Sequence, residues 1–178
     1  SVDILINNTQ GPPAGDVFSV NENDYQKSFD LLFKNTINTT NSAIKGMKKN
    51  NWGRIINMTS VSVKEPLAYL ALSNTIRSAV TSWGKTLSIE SGQFNITVNN
   101  ILTGFFNTER LNQLNSEKAK KFNVSTDEVF DKMSEMVPLK RIGEPEEFGY
   151  LIAFLASDYA DYINGANIPI DGGLLKSM

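Results

Sequence analysis

Four short apolar runs punctuate the chain: Asp3–Ile6, Arg54–Thr59, Thr97–Leu102 and Asn167–Ile170. Each is too short for a helix, and three are rich in isoleucine and valine or leucine, as expected of strands buried on both faces of a parallel sheet. The stretches between them carry a different period. Leu72, Ile76, Val80, Trp83 and Leu87 recur at helical spacing, and so do Phe148, Leu151, Ile152 and Leu155. Tyr25, Phe29, Leu32, Thr36, Ile37, Ile44 and Met47 predict a long helix over Glu22–Lys49 with those side chains on its buried face. Strands alternating with helices of this length predict an α/β fold, a doubly wound, Rossmann-like parallel sheet.

Local signals place the helix ends. Ser19-Val20-Asn21-Glu22 and Ser125-Thr126-Asp127-Glu128 read as capping boxes, and Pro145 is expected in a first helical turn. Pro12-Pro13-Ala14-Gly15 is a loop. Between Glu109 and Val137 the sequence is polar, with apolar positions at Leu111, Leu114, Phe122, Phe130, Met133 and Met136, and predicts a helical hairpin. No internal repeat or low-complexity segment interrupts the 178 residues, which fall within the size of one domain.

Composition narrows the chemistry. Hydrophobic content of 40% and charged content of 20% are those of a soluble globular chain. A net charge of -2 gives no electrostatic footprint for nucleic acid, and no apolar run approaches a membrane span. Cysteine and histidine are absent, which removes disulfides, thiolate nucleophiles, the usual zinc sites and any Ser-His-Asp triad. Acid–base work near neutral pH then falls to Tyr, Lys, Asp or Glu with shifted pKa, or to a bound cofactor.

Gly53-Arg54-Ile55-Ile56-Asn57-Met58-Thr59-Ser60 is the stretch around which a site is expected, because open α/β sheets bind ligands at the carboxyl ends of their strands. Here the chain resembles the short-chain dehydrogenase/reductase family, specifically its ketoacyl-reductase-like branch. That family carries a Ser after this strand, a Tyr thirteen positions on and a Lys four beyond the Tyr. In this chain those positions are Ser60, Ser73 and Arg77, so the Ser is kept while Tyr and Lys are replaced. The resemblance extends through Asn7-Asn8-Thr9-Gln10-Gly11 (Asn-Asn-Ala-Gly in the family) and Thr103-Gly104-Phe105-Phe106-Asn107-Thr108 (Pro-Gly-x-x-x-Thr). It continues through Arg141–Glu147 and Ile168–Gly173. Its strongest parts are structural and not catalytic.

The resemblance implies a carboxyl-terminal portion of the fold, a single domain over residues 1–178 lacking the first three strands and the Gly-rich turn expected upstream of Val2. It implies NAD or NADP as cofactor, held by Asn8, Gly11, Arg77, Gly104, Phe106 and Thr108. Ser60, Ser73 and Arg77 are the catalytic positions, and the substrate is a small-molecule carbonyl or alcohol. A cytoplasmic homotetramer is implied too, pairing the two long helices, with Phe33, Ala43 and Trp83 each a candidate for that contact or for the core. A family Asn that anchors a proton-relay water falls on Leu32, with Asn35 one turn away as a substitute or a solvated helix residue. A serine hydroxyl is a far weaker acid than a phenol, so Ser73 does not simply inherit the proton transfer. Tyr69, four positions before Ser73 and on the same side if the helix already extends that far, is weighed as a stand-in donor against packing or surface exposure, and Lys64 and Glu65 in the preceding loop are expected to be solvated. The leading expectation is therefore an NAD(P)-dependent oxidoreductase with an atypical site, and the runner-up is a non-catalytic binding or assembly subunit on the same scaffold.

Overall fold

The computed structural model describes residues 1–177. Four parallel strands, β1 (Ile4–Asn7), β2 (Gly53–Met58), β3 (Ile96–Thr103) and β4 (Asn167–Ile170), lie in the order β1-β2-β3-β4. Six α-helices accompany them: α1 (Glu22–Ser28), α2 (Asn35–Asn50), α3 (Ala71–Ser91), α4 (Glu109–Phe122), α5 (Thr126–Met136) and α6 (Pro145–Ala156). Successive residues of β2 face opposite ways, so Ile55 joins Ala43, Met47, Ile96 and Val98 beneath α2 and α3. Ile56 joins Ile101, Phe148 and Leu155 beneath α6. The helices therefore cover both faces, the doubly wound arrangement that the alternation of elements predicts. β1 is an edge strand, with Ile4 and Ile6 exposed.

Two expectations are corrected. The first helix is capped by Asn21, whose side chain accepts from the amides of Asn23 and Asp24 while Asp24 answers to the Asn21 amide. Ser19 is already engaged in a turn with Asp16, donating from its hydroxyl to the Asp16 carbonyl and accepting from the Asp16 amide. The long helix is also not uniform, because Phe29–Lys34 forms a π-helical turn between α1 and α2. Leu32, Thr36, Ala43 and Met47 are buried, but Phe29 is left outside at 39% exposure. The Ser125 capping box and Pro145 in the first turn of α6 are as expected.

A polar chain crosses the sheet just below its carboxyl edge. Asn7, Asn57, Asn100 and Asn167 occupy successive register positions on the four strands. Each amide donates to the next: Asn7 Nδ2 to Asn57 Oδ1 at 2.9 Å, Asn57 Nδ2 to Asn100 Oδ1 at 2.9 Å, and Asn100 Nδ2 to Asn167 Oδ1 at 2.8 Å. Thr39 closes the β1 end by donating to Asn7 Oδ1 at 2.8 Å. α3 passes directly over this chain at Gly84, where a Cβ would stand 2.7 Å from Asn100 Oδ1 and 2.9 Å from Asn57 Nδ2. The absent side chain is what lets helix and amides pack, and the amides lock the strand register immediately below the site.

Candidate active site at the carboxyl edge of the sheet

Alternate residues of β2 turn their peptide groups toward β1, as the Arg54 amide donating to the Asp3 carbonyl shows. β1 stops at Asn7, opposite Asn57, so the next carbonyl on that side, Met58, has no strand partner. The Arg77 guanidinium supplies one, Nη1 donating to the Met58 oxygen at 2.7 Å. α3 thereby folds back onto the tip of β2. Its charged end is withdrawn from water, and that desolvation pulls the Arg77 pKa down to about 10. At neutral pH the group remains a cation.

Ser73 lies one turn before Arg77 on the same helix face. Thr75 and Ser78 turn their hydroxyls back onto the carbonyls of Ala71 and Asn74, whereas the Ser73 hydroxyl has no partner among the described residues. Ser60 follows the end of β2 and opens a 3-10 turn over Val61–Val63, its Oγ accepting from the Ser62 amide at 3.1 Å. Ser60 thus follows the end of β2 and Arg77 is bonded to its last residue, with Ser73 one turn before Arg77 on α3. Accepting from the Ser62 amide leaves the Ser60 hydroxyl proton free to donate.

The positions expected at the cofactor divide into two kinds. Asn8 is exposed beyond β1, and Gly11 is open, with only Arg110 Nε, at 4.0 Å, near the place of a Cβ. Thr108 is the N-cap of α4, accepting from the Leu111 amide at 3.3 Å, and it too keeps its hydroxyl proton. Gly104 and Phe106 serve packing. A Cβ on Gly104 would meet Asp171 at 2.7 Å, and the Phe106 ring lies over Gly143 and edge-on to Phe148, centroids 5.4 Å apart. Phe106 also borders a cavity of about 140 Å³ between the ends of β3 and β4, which Arg141, Glu147 and Asp171 line as well. None of Ser60, Ser73 or Arg77 lines that cavity. Thr103, where the family has Pro, donates its hydroxyl to the Thr59 carbonyl at 2.6 Å and ties β3 to β2.

Leu32 is buried at 2% exposure, and Asn35 is exposed with its amide donating to the Leu31 carbonyl, so Asn35 is spent on its own helix. Tyr69 precedes α3 in a left-handed backbone, φ 72°, instead of lying one helical turn before Ser73. The Tyr69 carbonyl accepts from the Gly15 amide, and the Lys121 ammonium lies 4.2 Å from the center of its ring. Glu65 is not free. Its carboxylate accepts from the amides of Lys176 and Ser177, bonds that hold its pKa below the usual carboxylate value, those with Ser177 foremost. Sequence reasoning missed Arg110, whose Nη2 donates to the Pro12 carbonyl at 3.1 Å and joins the loop after β1 to the first turn of α4. No local signal pointed to it, since the contact spans 98 positions.

Comparison with known proteins gives a consistent result. A family described as "Enoyl-(Acyl carrier protein) reductase" matches residues 1–175. The chain is 35% identical to the NADPH-dependent reductase BacG of Bacillus subtilis over 177 residues, 99% of this chain and 68% of that protein. It is 35% identical to the oxidoreductase UcpA of Salmonella typhimurium, covering 97% of this chain and 65% of the relative. The crystal structure of L-sorbose reductase from Gluconobacter frateurii, complexed with NADPH and L-sorbose, superimposes with a TM-score of 0.92 at 28% identity, covering 99% of this chain and 67% of that one. The chain spans about two thirds of the length of the relatives it matches.

Proposed function

Because the chain belongs to the short-chain dehydrogenase/reductase family, we propose that it forms the catalytic portion of an NAD(P)-dependent oxidoreductase acting on a carbonyl or alcohol, with an atypical proton-transfer site. The observation that carries this reading is Arg77, which folds α3 back onto the tip of β2 through its bond to the Met58 carbonyl, where Ser60 follows the strand. The donor set suits a dinucleotide: Thr108 keeps a hydroxyl proton, Gly11 presents no side chain, and Arg77 has N–H groups to spare for ribose hydroxyls. The cofactor when bound supplies hydride chemistry. Ser60 would orient the substrate oxygen by donating its free proton, Arg77 would hold the ribose of the bound dinucleotide, and Thr108 would hold its carboxamide, with Asn8 among the residues that bind it. NADPH is the form named for BacG and bound in the L-sorbose reductase structure, and it is the one we favor here.

What the site lacks is a phenol beside a cation. General acid assistance is worth about 10²–10⁴-fold. The double change Ser73→Tyr with Arg77→Lys, made in the protein carrying the family's upstream strands, should raise reduction of a neutral carbonyl by roughly that factor. Each single change should do less, because the two groups act as a unit. No gain despite measurable NADPH binding would mean a different donor or a different reaction. Failure to bind either dinucleotide would replace this reading with the non-catalytic scaffold.

Assembly follows the same logic. Phe33 and Trp83, both half-buried, pack edge to face between the two long helices with centroids 6.3 Å apart, and are proposed to meet a symmetry mate in a homotetramer. Ala43, expected there, is instead buried beneath the sheet at 7% exposure. Sedimentation showing only monomer over a wide concentration range would remove the tetramer.

A further inference from the structure

Arg77 is a cation without a counter-charge. Among the described residues no carboxylate lies within 4.0 Å of it, whereas Arg54 and Arg141 are paired with acidic side chains. Its one internal partner is the Met58 carbonyl, a neutral acceptor. A guanidinium has five N–H donors in a planar fork, and ribose hydroxyls would occupy some of them without neutralising the charge. Desolvation makes that lack of compensation costly, which is why its pKa falls to about 10. In the family the cation at this place faces an ionisable phenol; here that partner is Ser73, which is short, does not ionise at neutral pH and leaves its hydroxyl uncommitted. Planar fork and free hydroxyl, one helical turn apart on α3, together suit a planar anion better than a neutral group.

We propose that the substrate carries a carboxylate close to its reacting carbonyl, and that Arg77 and Ser73 receive this carboxylate at the tip of β2. The inference rests on the oxidoreductase reading and names its substrate class. Arg77 pairs with the carboxylate through the N–H groups that Met58 does not use, and Ser73 donates to one carboxylate oxygen. Ser60 remains free for the carbonyl oxygen. A neutral ester or amide of the same skeleton cannot supply the charge, so it is discriminated against by the desolvated cation it leaves unpaired.

The test uses the full-length protein and has two arms. In the first, the Arg77 Nε–H resonance, assigned by its loss in Arg77→Lys, is followed by NMR during titration with oxamate and, separately, with inorganic phosphate. Oxamate should produce a saturable shift at a concentration at least ten times lower than phosphate. No shift, or tighter binding of phosphate, would overturn the carboxylate assignment, and this arm is decided whether or not the protein turns over or binds NADPH. In the second arm, kcat/KM is compared for a 2-oxo acid and its methyl ester. The acid should be preferred by roughly 10²-fold, the scale set by truncating one partner of a buried charge pair. Arg77→Gln should abolish the preference mainly through KM, and Arg77→Lys should restore part of it. Equal use of acid and ester by the unaltered protein would overturn the proposal without requiring any variant to fold. NADPH affinity, measured by fluorescence in the same samples, separates failure of the oxidoreductase reading from failure of this one.

Discussion

Changing Asn57 to Asp replaces one NH₂ by one oxygen at the center of the amide chain, with almost no change in shape. Asn57 is fully buried. An ionised carboxylate there would still accept from Asn7 Nδ2, but its second oxygen would face Asn100 Oδ1 at the 2.9 Å that now spans a hydrogen bond. Two acceptors at that distance repel, and burial disfavors the charge further, so the folded-state pKa must rise above the ordinary ~3.9. A protonated carboxyl relieves both, because its O–H can donate to Asn100 as the amide did. The cost at pH 7 is therefore limited to that of protonating the group: about 3 pH units at ~1.4 kcal/mol each, or ~4 kcal/mol. Because the folded pKa is raised, stability should be close to that of the parent near pH 4 and fall by ~1.4 kcal/mol per unit as pH rises toward the folded pKa. Against a typical total of ~5–15 kcal/mol this is a large loss. Urea unfolding of parent and variant in parallel at pH 4, 5.5 and 7 reads it directly. A difference of less than ~1 kcal/mol at pH 7, or one that is the same at pH 4, would refute the reasoning.

Gly84→Ala drives a methyl into the same amides from the helix side and should destabilise by ~1–3 kcal/mol, as overpacking does, with no pH dependence between 4 and 7, measured by the same unfolding assay. Asp161→Asn weakens the pairing of the fully buried Arg54, which also stacks on Trp52 at 4.3 Å. Its cost in thermal unfolding should be ~1–3 kcal/mol, below the ~3–5 of a pair buried on both sides, because Asp161 is half-exposed and Asp158 stands 3.8 Å away as a second carboxylate. Glu147, whose carboxylate is held down to a pKa of about 2 first by its bonds from Arg141 and then by the Glu144 amide, should stay ionised in an NMR titration until well below pH 4. Its depressed pKa stabilises the fold above the unfolded carboxyl pKa, and that contribution fades as pH falls toward 2. Arg141→Gln should return most of the titration to the ordinary carboxylate range.

Strands and helices were legible in the sequence because each depends on short-range pattern. β4 falls on Asn167–Ile170, and α3 (Ala71–Ser91) contains the whole stripe from Leu72 to Leu87. The place of Ser60 just beyond the end of β2 was legible for the same reason, since strand and turn are contiguous. What escaped were contacts between distant positions and competition between neighboring ones. The cap read at Ser19 lies two residues on at Asn21, because the Asp16 turn has already recruited Ser19. The four amides are each unremarkable in sequence, and only strand register makes them a chain. Tyr69 was read by counting back along a helix that does not reach it.

The π-helical turn at Phe29–Lys34 acts as a phase shifter for what precedes it. Such a turn accommodates a residue more than the α-helical path does, and one residue is about 100° of rotation. Glu22–Ser28 and Asn35–Asn50 consequently belong to two rotational settings joined in one continuous rod. Removing one residue inside the turn would bring them into step, swing α1 off its seat against α3, and drag with it the loop from Asn8 to Val20. That loop holds Gly11, the Pro12 carbonyl bound by Arg110, and Gly15, which is bridged to Leu70. A one-residue deletion inside this turn would thus misplace the loop flanking the site, whereas one added residue at the exposed Phe18 would be absorbed where it stands.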